Sequence, residues 1–224
     1  MEFRCVHCGF KVKLLFVQYS PGNIRLMKCE NCREVADEYI ECEIMILLID
    51  LVLQKQKAYS HLLFNSRNDF DFEGSLWKLG LSFLLLDSCQ ILLLNECKQD
   101  CGLSRSYKFP VLACGKVLID VLLSNFVFIS VLFLASRILL TSLTKTTSFK
   151  DILLAIVVSS YFKIFLVALM IWEFPSSVSY VIDMLVLSSN AVALRVITQS
   201  TTARCTLVCL GAHAGKFLTK QLTR

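Results

Sequence analysis

Two cysteine pairs near the N-terminus, in "CVHCGF" and "KCENCRE", constrain this chain more than anything else in it. They read Cys5-x2-Cys8 and Cys29-x2-Cys32, with twenty residues between the pairs. A two-residue gap lets two thiolates converge on one ion across a tight turn, and two such knuckles complete a tetrahedral shell of four sulfurs. Gly9, directly after Cys8, suits a turn that needs positive φ. Between the pairs, "KVKLLFVQYSPGNIRLMK" reads as two short strands around the turn Ser20 to Asn23, a hairpin that returns the second knuckle to the first. The outline is a zinc ribbon, with one structural Zn2+ per chain on Cys5, Cys8, Cys29 and Cys32. Four protein ligands leave no open position for substrate, and so small a ribbon draws much of its folding energy from the metal.

Three other readings of the cysteines compete with zinc. Disulfides need an oxidising compartment, and two residues make a short loop for a structural bridge. An iron site of the rubredoxin kind uses the same paired spacing. Four unliganded core cysteines do not account for it. His7 sits inside the first knuckle but reads as solvated, because four thiolates already fill the shell.

The rest of the chain is of another character. Of its 224 residues 55% are hydrophobic, with a mean hydropathy of +0.62, against roughly 45–50% apolar in a soluble domain. The excess lies after residue 75. Residues 1–75 hold nine Lys/Arg and eleven Asp/Glu, a balance that offers no basic footprint for nucleic acid. The N-terminus lacks the apolar stretch of a cleavable signal peptide, so the first span is expected to act as its own insertion signal.

The expected organisation is a ribbon over 1–43, an amphipathic or interfacial segment and linker over 44–75, and a transmembrane domain over 76–224. In the middle segment the apolar stretch Ile44 to Leu53 is too short to span a bilayer. It reads equally as a helix lying flat with Lys55 and Lys57 at the headgroups, or as a core helix packed on the ribbon. Cys42 reads as a small buried hydrophobe, and His61 as a hydrogen-bonded structural histidine. Four spans follow, Leu76–Leu94, Val117–Ile138, Ile152–Trp172 and Val178–Ile197, each near the length a helix needs. The C-terminal "CTLVCLGAHAGKFL" reads as too short and broken for a fifth, with a place on the membrane interface as its alternative. The fold class expected is thus a mainly α membrane protein, a four-helix bundle preceded by a small cytosolic zinc ribbon.

Seventeen Lys/Arg in or beside the head, the second loop and the tail, against four in the first loop and none in the third, place both termini in the cytosol. Reducing cytosol also keeps thiolates available for metal. The first loop then faces the lumen with Cys97, Cys101 and Cys114, which read evenly as a disulfide or as free thiols. Inside the spans, Lys163 and Asp87 each lie eleven residues from a cytosolic end and are expected to pair, with Asp183 as the fallback partner. No nucleophile elbow, phosphate-binding glycine loop or intramembrane histidine cluster is present in the sequence, and no enzymatic activity is expected.

The head residues carry a further signal. The combination "C-x2-C … YSPGNIRLMKCENC … ADEYIECE … IDLVLQKQKAYSHLLFN" resembles the Arv family of endoplasmic-reticulum proteins, closely over residues 1 to about 65 and in architecture beyond. Matching positions include the four cysteines with Tyr19, Arg25, Asp37, Tyr39, Asp50, Ala58, Tyr59, His61 and Asn65. Two positions depart: Glu38 stands where a lysine is usual, and Ser60 where an arginine is. The resemblance implies a non-enzymatic role in sterol transport and distribution from the endoplasmic reticulum, with sphingolipid homeostasis alongside. Its implied partners are membrane lipids (sterol, sphingolipid or phosphoinositide) and other membrane proteins, and its implied residence is the multi-pass reticulum membrane, with the Golgi as a second compartment. The alternative it leaves is a non-catalytic scaffold or accessory factor for glycosylphosphatidylinositol assembly.

Overall fold

The computed structural model describes residues 3–20, 22–66, 72–99, 111–139, 149–165 and 177–222. They form a mostly helical chain with a small β-rich head. In the head, β1 (Phe3–Arg4) and β2 (Lys11–Val12) pair antiparallel, Phe3 opposite Val12, so the first knuckle is the loop of a minimal hairpin. Strands β3 (Phe16–Ser20) and β4 (Asn23–Leu26) form the hairpin expected between the knuckles, with Phe16 opposite Leu26 and Gly22 at φ +83 in the turn. The second knuckle is enclosed by the bridge between Lys28 and Val35.

Helix α1 (Ile44–Val52) follows. The chain then reverses, with Gln54 at φ +56, into α2 (Gln56–Ser60), which continues as one wide turn over His61–Asn65. This helical hairpin belongs to the body as much as to the head. Tyr39, Leu51, Ala58, Tyr59 and Leu63 bury against Ala155, Ala193 and Ile197 in one apolar cluster.

The body comprises α3 (Phe72–Gln99), α4 (Val111–Leu139), α5 (Phe149–Ser159, tightening into a 3-10 turn over Ser160–Ile164), α6 (Ser177–Thr198) and α7 (Thr202–Leu222). Among the described residues two stretches, Gly115–Leu139 and Val178–Thr198, are long and apolar enough to cross a membrane. They suggest a membrane protein. They match the second and fourth expected spans. Helices α3 and α5 start near the first and third, and the remainder of the third, to Trp172, lies outside the described residues. So do the loops holding Cys101 and the side chains of Cys97 and Cys114.

At the C-terminus the structure adds a helix to the four expected spans. The segment read as too short and broken is a 21-residue helix. Its buried stripe is Cys205, Val208, Cys209, Ala212 and Lys216, which packs with Phe128, Leu132, Ile152 and Leu194. Small residues line this face, and Gly215 lies beside Val131 and Val127 of α4, where an added Cβ would make ordinary contact at 3.5 Å. Helix α7 runs antiparallel to α4, reaching Asn125 through Lys216. Its C-terminal end therefore lies at the end of the bundle away from the head, where charge counting expects the tail beside the head. The count treats Lys216 and Lys220 as loop cations, and it cannot see that Lys216 has a buried partner.

Candidate metal centre and the joint beneath it

Each knuckle is closed the same way. Gly9 N–H donates to the Cys5 carbonyl and Arg33 N–H to the Cys29 carbonyl, both at 2.9 Å. The residue after each second cysteine takes positive φ, Gly9 at +72 and Arg33 at +64. The glycine argument thus applies to the first knuckle, and at the second an arginine accepts the same strain. Position 9 also meets the body, since the exposed side-chain amide of Gln199, which follows α6, lies against Gly9. The head sits that closely on the end of the bundle.

The four sulfurs Cys5, Cys8, Cys29 and Cys32 lie within 4.8 Å of one another. Cys5 Sγ is 3.7 Å from Cys32 Sγ and Cys8 Sγ is 3.6 Å from Cys29 Sγ. A tetrahedral zinc with bonds of about 2.3 Å has sulfur–sulfur edges of about 3.8 Å, so these residues fit the ion. The contacts pair cysteines across the two knuckles, as four ligands of one ion require. Burial pushes the Cys5 thiol up to about 12. At Cys8 desolvation acts in the same direction, but hydrogen bonds led by the Phe10 backbone and the Asn31 side chain outweigh it and bring the thiol down to about 7. Four adjacent thiolates repel one another, and a divalent cation offsets that charge while supplying folding energy to the ribbon. His7 is exposed and faces Glu38, with Nε2 4.0 Å from the carboxylate, so the solvated reading holds.

Below the metal centre a second set of polar side chains fastens the head to the helical hairpin. Asp37, fully buried, receives Asn65 Nδ2 at 2.6 Å and the Tyr39 N–H at 3.0 Å, and stands 2.7 Å from His61 Nδ1. Asn65 also bonds both backbone groups of Arg4 at 2.9 Å, like an extra strand residue beside β1. His61 is thus the structural histidine that was expected. Tyr39 donates to Asp50 at 2.8 Å, and Lys55 pairs with the same carboxylate at 2.7 Å, which holds Asp50 below the usual carboxylate range, chiefly through Lys55. Tyr59 OH lies 2.7 Å from Ser189 Oγ of α6, and Tyr161 OH donates to the Leu51 carbonyl at 2.5 Å. The departure at Glu38 has a local partner here, since its carboxylate takes Lys57 at 3.2 Å. Cys42 is half-buried and donates to the Glu38 carbonyl.

A third polar cluster lies within the bundle. Asp87 of α3 pairs with Lys163 at 2.5 Å, as the matched depths lead one to expect. It pairs equally with Lys216 of α7 at 2.5 Å, and Asn125 of α4 donates to it at 2.7 Å while accepting from Lys216 at 2.8 Å. The Lys163 ammonium also stands 3.7 Å over the Phe83 ring. Asp183, the fallback partner, is engaged instead by Gln90, whose amide reaches both its oxygens at 3.0 Å. Sequence reasoning missed Lys216 and Asn125. The available signal was the spacing of Cys205, Val208, Cys209, Ala212 and Lys216, which lines one face of a helix with Lys216 on the buried side.

Comparison with known proteins places these features in a family. The model of the Arv1-like family matches residues 4–194. The chain is 51% identical to Protein ARV 2 of Arabidopsis thaliana over 98% of its own length and 94% of that protein. It is likewise 51% identical to Protein ARV 1 of the same plant, over 99% and 89%. Against Protein ARV1 of Homo sapiens the identity is 29%, over 87% of this chain and 72% of the human one. No solved structure matches it.

Proposed function

The chain belongs to the Arv1-like family, and from that premise we propose that it is a non-enzymatic membrane protein of the endoplasmic reticulum that transports or distributes sterols and supports sphingolipid homeostasis. The observation that carries the reading is the joint. Residues on which the resemblance rests, Asp37, Tyr39, Tyr59, His61 and Asn65, are spent on one another and on α6. They fasten a head to a helical body, where an enzyme would turn such groups toward a substrate. The metal centre supports the same reading: four cysteines surround one position and so serve the fold of the head. Zinc is the proposed ion, one per chain. The head provides a cytosolic face, the helices contact lipid, and membrane lipids and other membrane proteins are the proposed partners.

The test is photo-crosslinking of the intact protein in native membranes with sterol and phosphoinositide probes. A sterol adduct on the helical body, competed by free sterol, is expected. Absence of any lipid adduct, together with co-purification in a defined glycolipid-assembly complex, would replace transport by the scaffold role.

A further inference from the structure

Helix α1 presents a face that no described residue covers. Successive residues turn by about 100°, which gathers Ile44, Met45, Ile46, Leu48, Ile49 and Val52 on one arc of about 200°. All six are exposed, Ile44 at 75% and Met45 at 63%. The remaining arc holds Leu47, Asp50 and Leu51 and faces the protein, where Leu51 is buried and Asp50 is bonded to Tyr39 and Lys55. An exposed surface of this size without a polar group in it marks a contact face.

We propose that α1 lies in the leaflet on the head's side of the membrane, with this face in the upper acyl region and its axis near the membrane plane. Three observations select lipid over a protein partner. The first is position. The tip of the α1–α2 hairpin docks on the flank of α6, where Gln54 Nε2 donates to Ser188 Oγ at 2.7 Å. Ser188 lies ten residues inside Thr198, the head end of that helix, which is about 15 Å of rise. A segment fastened beside a membrane-length helix below its end is at bilayer depth. The second is continuity. The neighbouring surface of α6 exposes Tyr180, Val181, Met184 and Leu185, so the face of α1 extends a surface that already has acyl chains as its solvent. The third is the placement of charge. Asp50 with Lys55, and Lys57 with Glu38, lie on the side of the hairpin that meets the head. Paired with each other on that side, these charges leave the outward face of α1 wholly apolar, the layout of a helix that turns one face to lipid. Nine residues reach only about 13.5 Å, so α1 cannot cross. The exposure of this face favours the flat-lying reading of the segment over the core-helix one.

The consequence is that the metal-binding head is anchored to the membrane surface by its own sequence as well as by the bundle. The inference does not depend on which lipid the protein handles.

The test uses the full chain in phosphatidylcholine vesicles, with Trp77 and Trp172 replaced by Phe and one reporter introduced at a time. The reporters are Leu48→Trp, Val52→Trp and, on the exposed face of the ribbon, Arg25→Trp. Lipids carrying a nitroxide on the headgroup, high on the acyl chain or near its methyl end serve as quenchers. Leu48→Trp and Val52→Trp should emit at shorter wavelength than Arg25→Trp and be quenched most by the nitroxide high on the chain. Arg25→Trp should be quenched by none of the acyl nitroxides. Equal quenching at all three positions, or none at Leu48→Trp, overturns the proposal. So does quenching of Leu48→Trp by a nitroxide-labelled second copy of the protein in place of labelled lipid. Bound metal and helical content measured on each variant separate a misfolded head from a helix that is folded but out of the leaflet.

Discussion

The head and the body of this protein solve one problem in opposite ways. Both must hold together with little of the apolar burial that stabilises a soluble domain. The ribbon is too small to have much core, and a bundle placed in a membrane, as its two long apolar helices suggest, gains nothing by leaving a solvent as apolar as its own surface. The head solves it with four identical ligands that lie close in sequence, around a point that a metal can occupy. The body solves it with one carboxylate, Asp87, shared by two lysines and an asparagine that come from three other parts of the chain. The head's solution is local and therefore all-or-none. The body's is distributed, so it should fail by degrees.

The largest effect should follow from attacking the head's ligands. Cys29→Ala removes a ligand whose side chain is buried, and a three-thiolate site cannot make up the loss. Binding of structural zinc contributes about 10–16 kcal/mol in small peptides at neutral pH, so the head should unfold as a unit. Elemental analysis should find one zinc per wild-type chain and a sharply reduced content in the variant. Limited proteolysis should cut residues 1–43 while helicity of the body persists. If the body melts with the head, the two are one cooperative unit and the contrast fails.

Next in size is Asp87→Ala, which strands two ammonium groups. Removing one partner of a buried ion pair costs about 3–5 kcal/mol. Lys163→Ala should cost less, because Lys216 remains on Asp87 and the site becomes a neutral pair, and Lys216→Ala should behave likewise. The triple variant with all three replaced by Ala should recover much of the loss of Asp87→Ala. Denaturation of purified protein in detergent measures the series. Two lysine variants each as damaging as Asp87→Ala would mean that the charges are not shared.

The two regions also differ in how far their sequences disclose them. The metal centre was legible because its geometry is encoded in gaps of two residues, and the hairpin between the knuckles because "SPGN" is a local turn. The Asp87–Lys163 pair was legible from depth alone, since both stand eleven residues from the start of an expected span, Leu76 and Ile152. Helix α7 was not. A hydropathy reading averages Arg204, His213, Lys216 and Lys220 against small residues and finds nothing membrane-like, whereas its packing depends on which face those residues occupy. The exposed face of α1 was ambiguous for the converse reason: a continuous apolar run carries no periodicity to show which side is inward.

That miss has a testable consequence for topology. Helix α7 runs back along α4 from the head's end, so a glycosylation acceptor added after Arg224 should be modified, while one placed before Cys5 should not. An acceptor in the first loop should be modified in either case. Modification of neither terminus would restore the charge-count arrangement and would require α7 to pack on α4 without crossing.

The smallest effect tests whether the joint transmits anything between the two regions. Tyr59 is fully buried, and its hydroxyl lies 2.7 Å from Ser189 Oγ, which in turn donates to the Ser159 carbonyl at 2.6 Å. Tyr59→Phe keeps the ring among Ala58, Leu63, Ala155 and Ala193 and removes only the hydroxyl. A net hydrogen bond contributes about 1 kcal/mol, and an unsatisfied buried partner adds to the loss. Ser189 retains its bond to Ser159, so the cost should stay near that figure. Ser189→Ala should cost more, because it also removes the bond to the Ser159 carbonyl, and the double variant should cost less than the two single losses added, because both remove the bond between the hydroxyls. The coupling should also appear at a distance: with Tyr59→Phe, proteolysis of the head should become easier at unchanged zinc content. If the two losses simply add, the hydroxyls share no energy, and the head rests on the body through apolar contact alone.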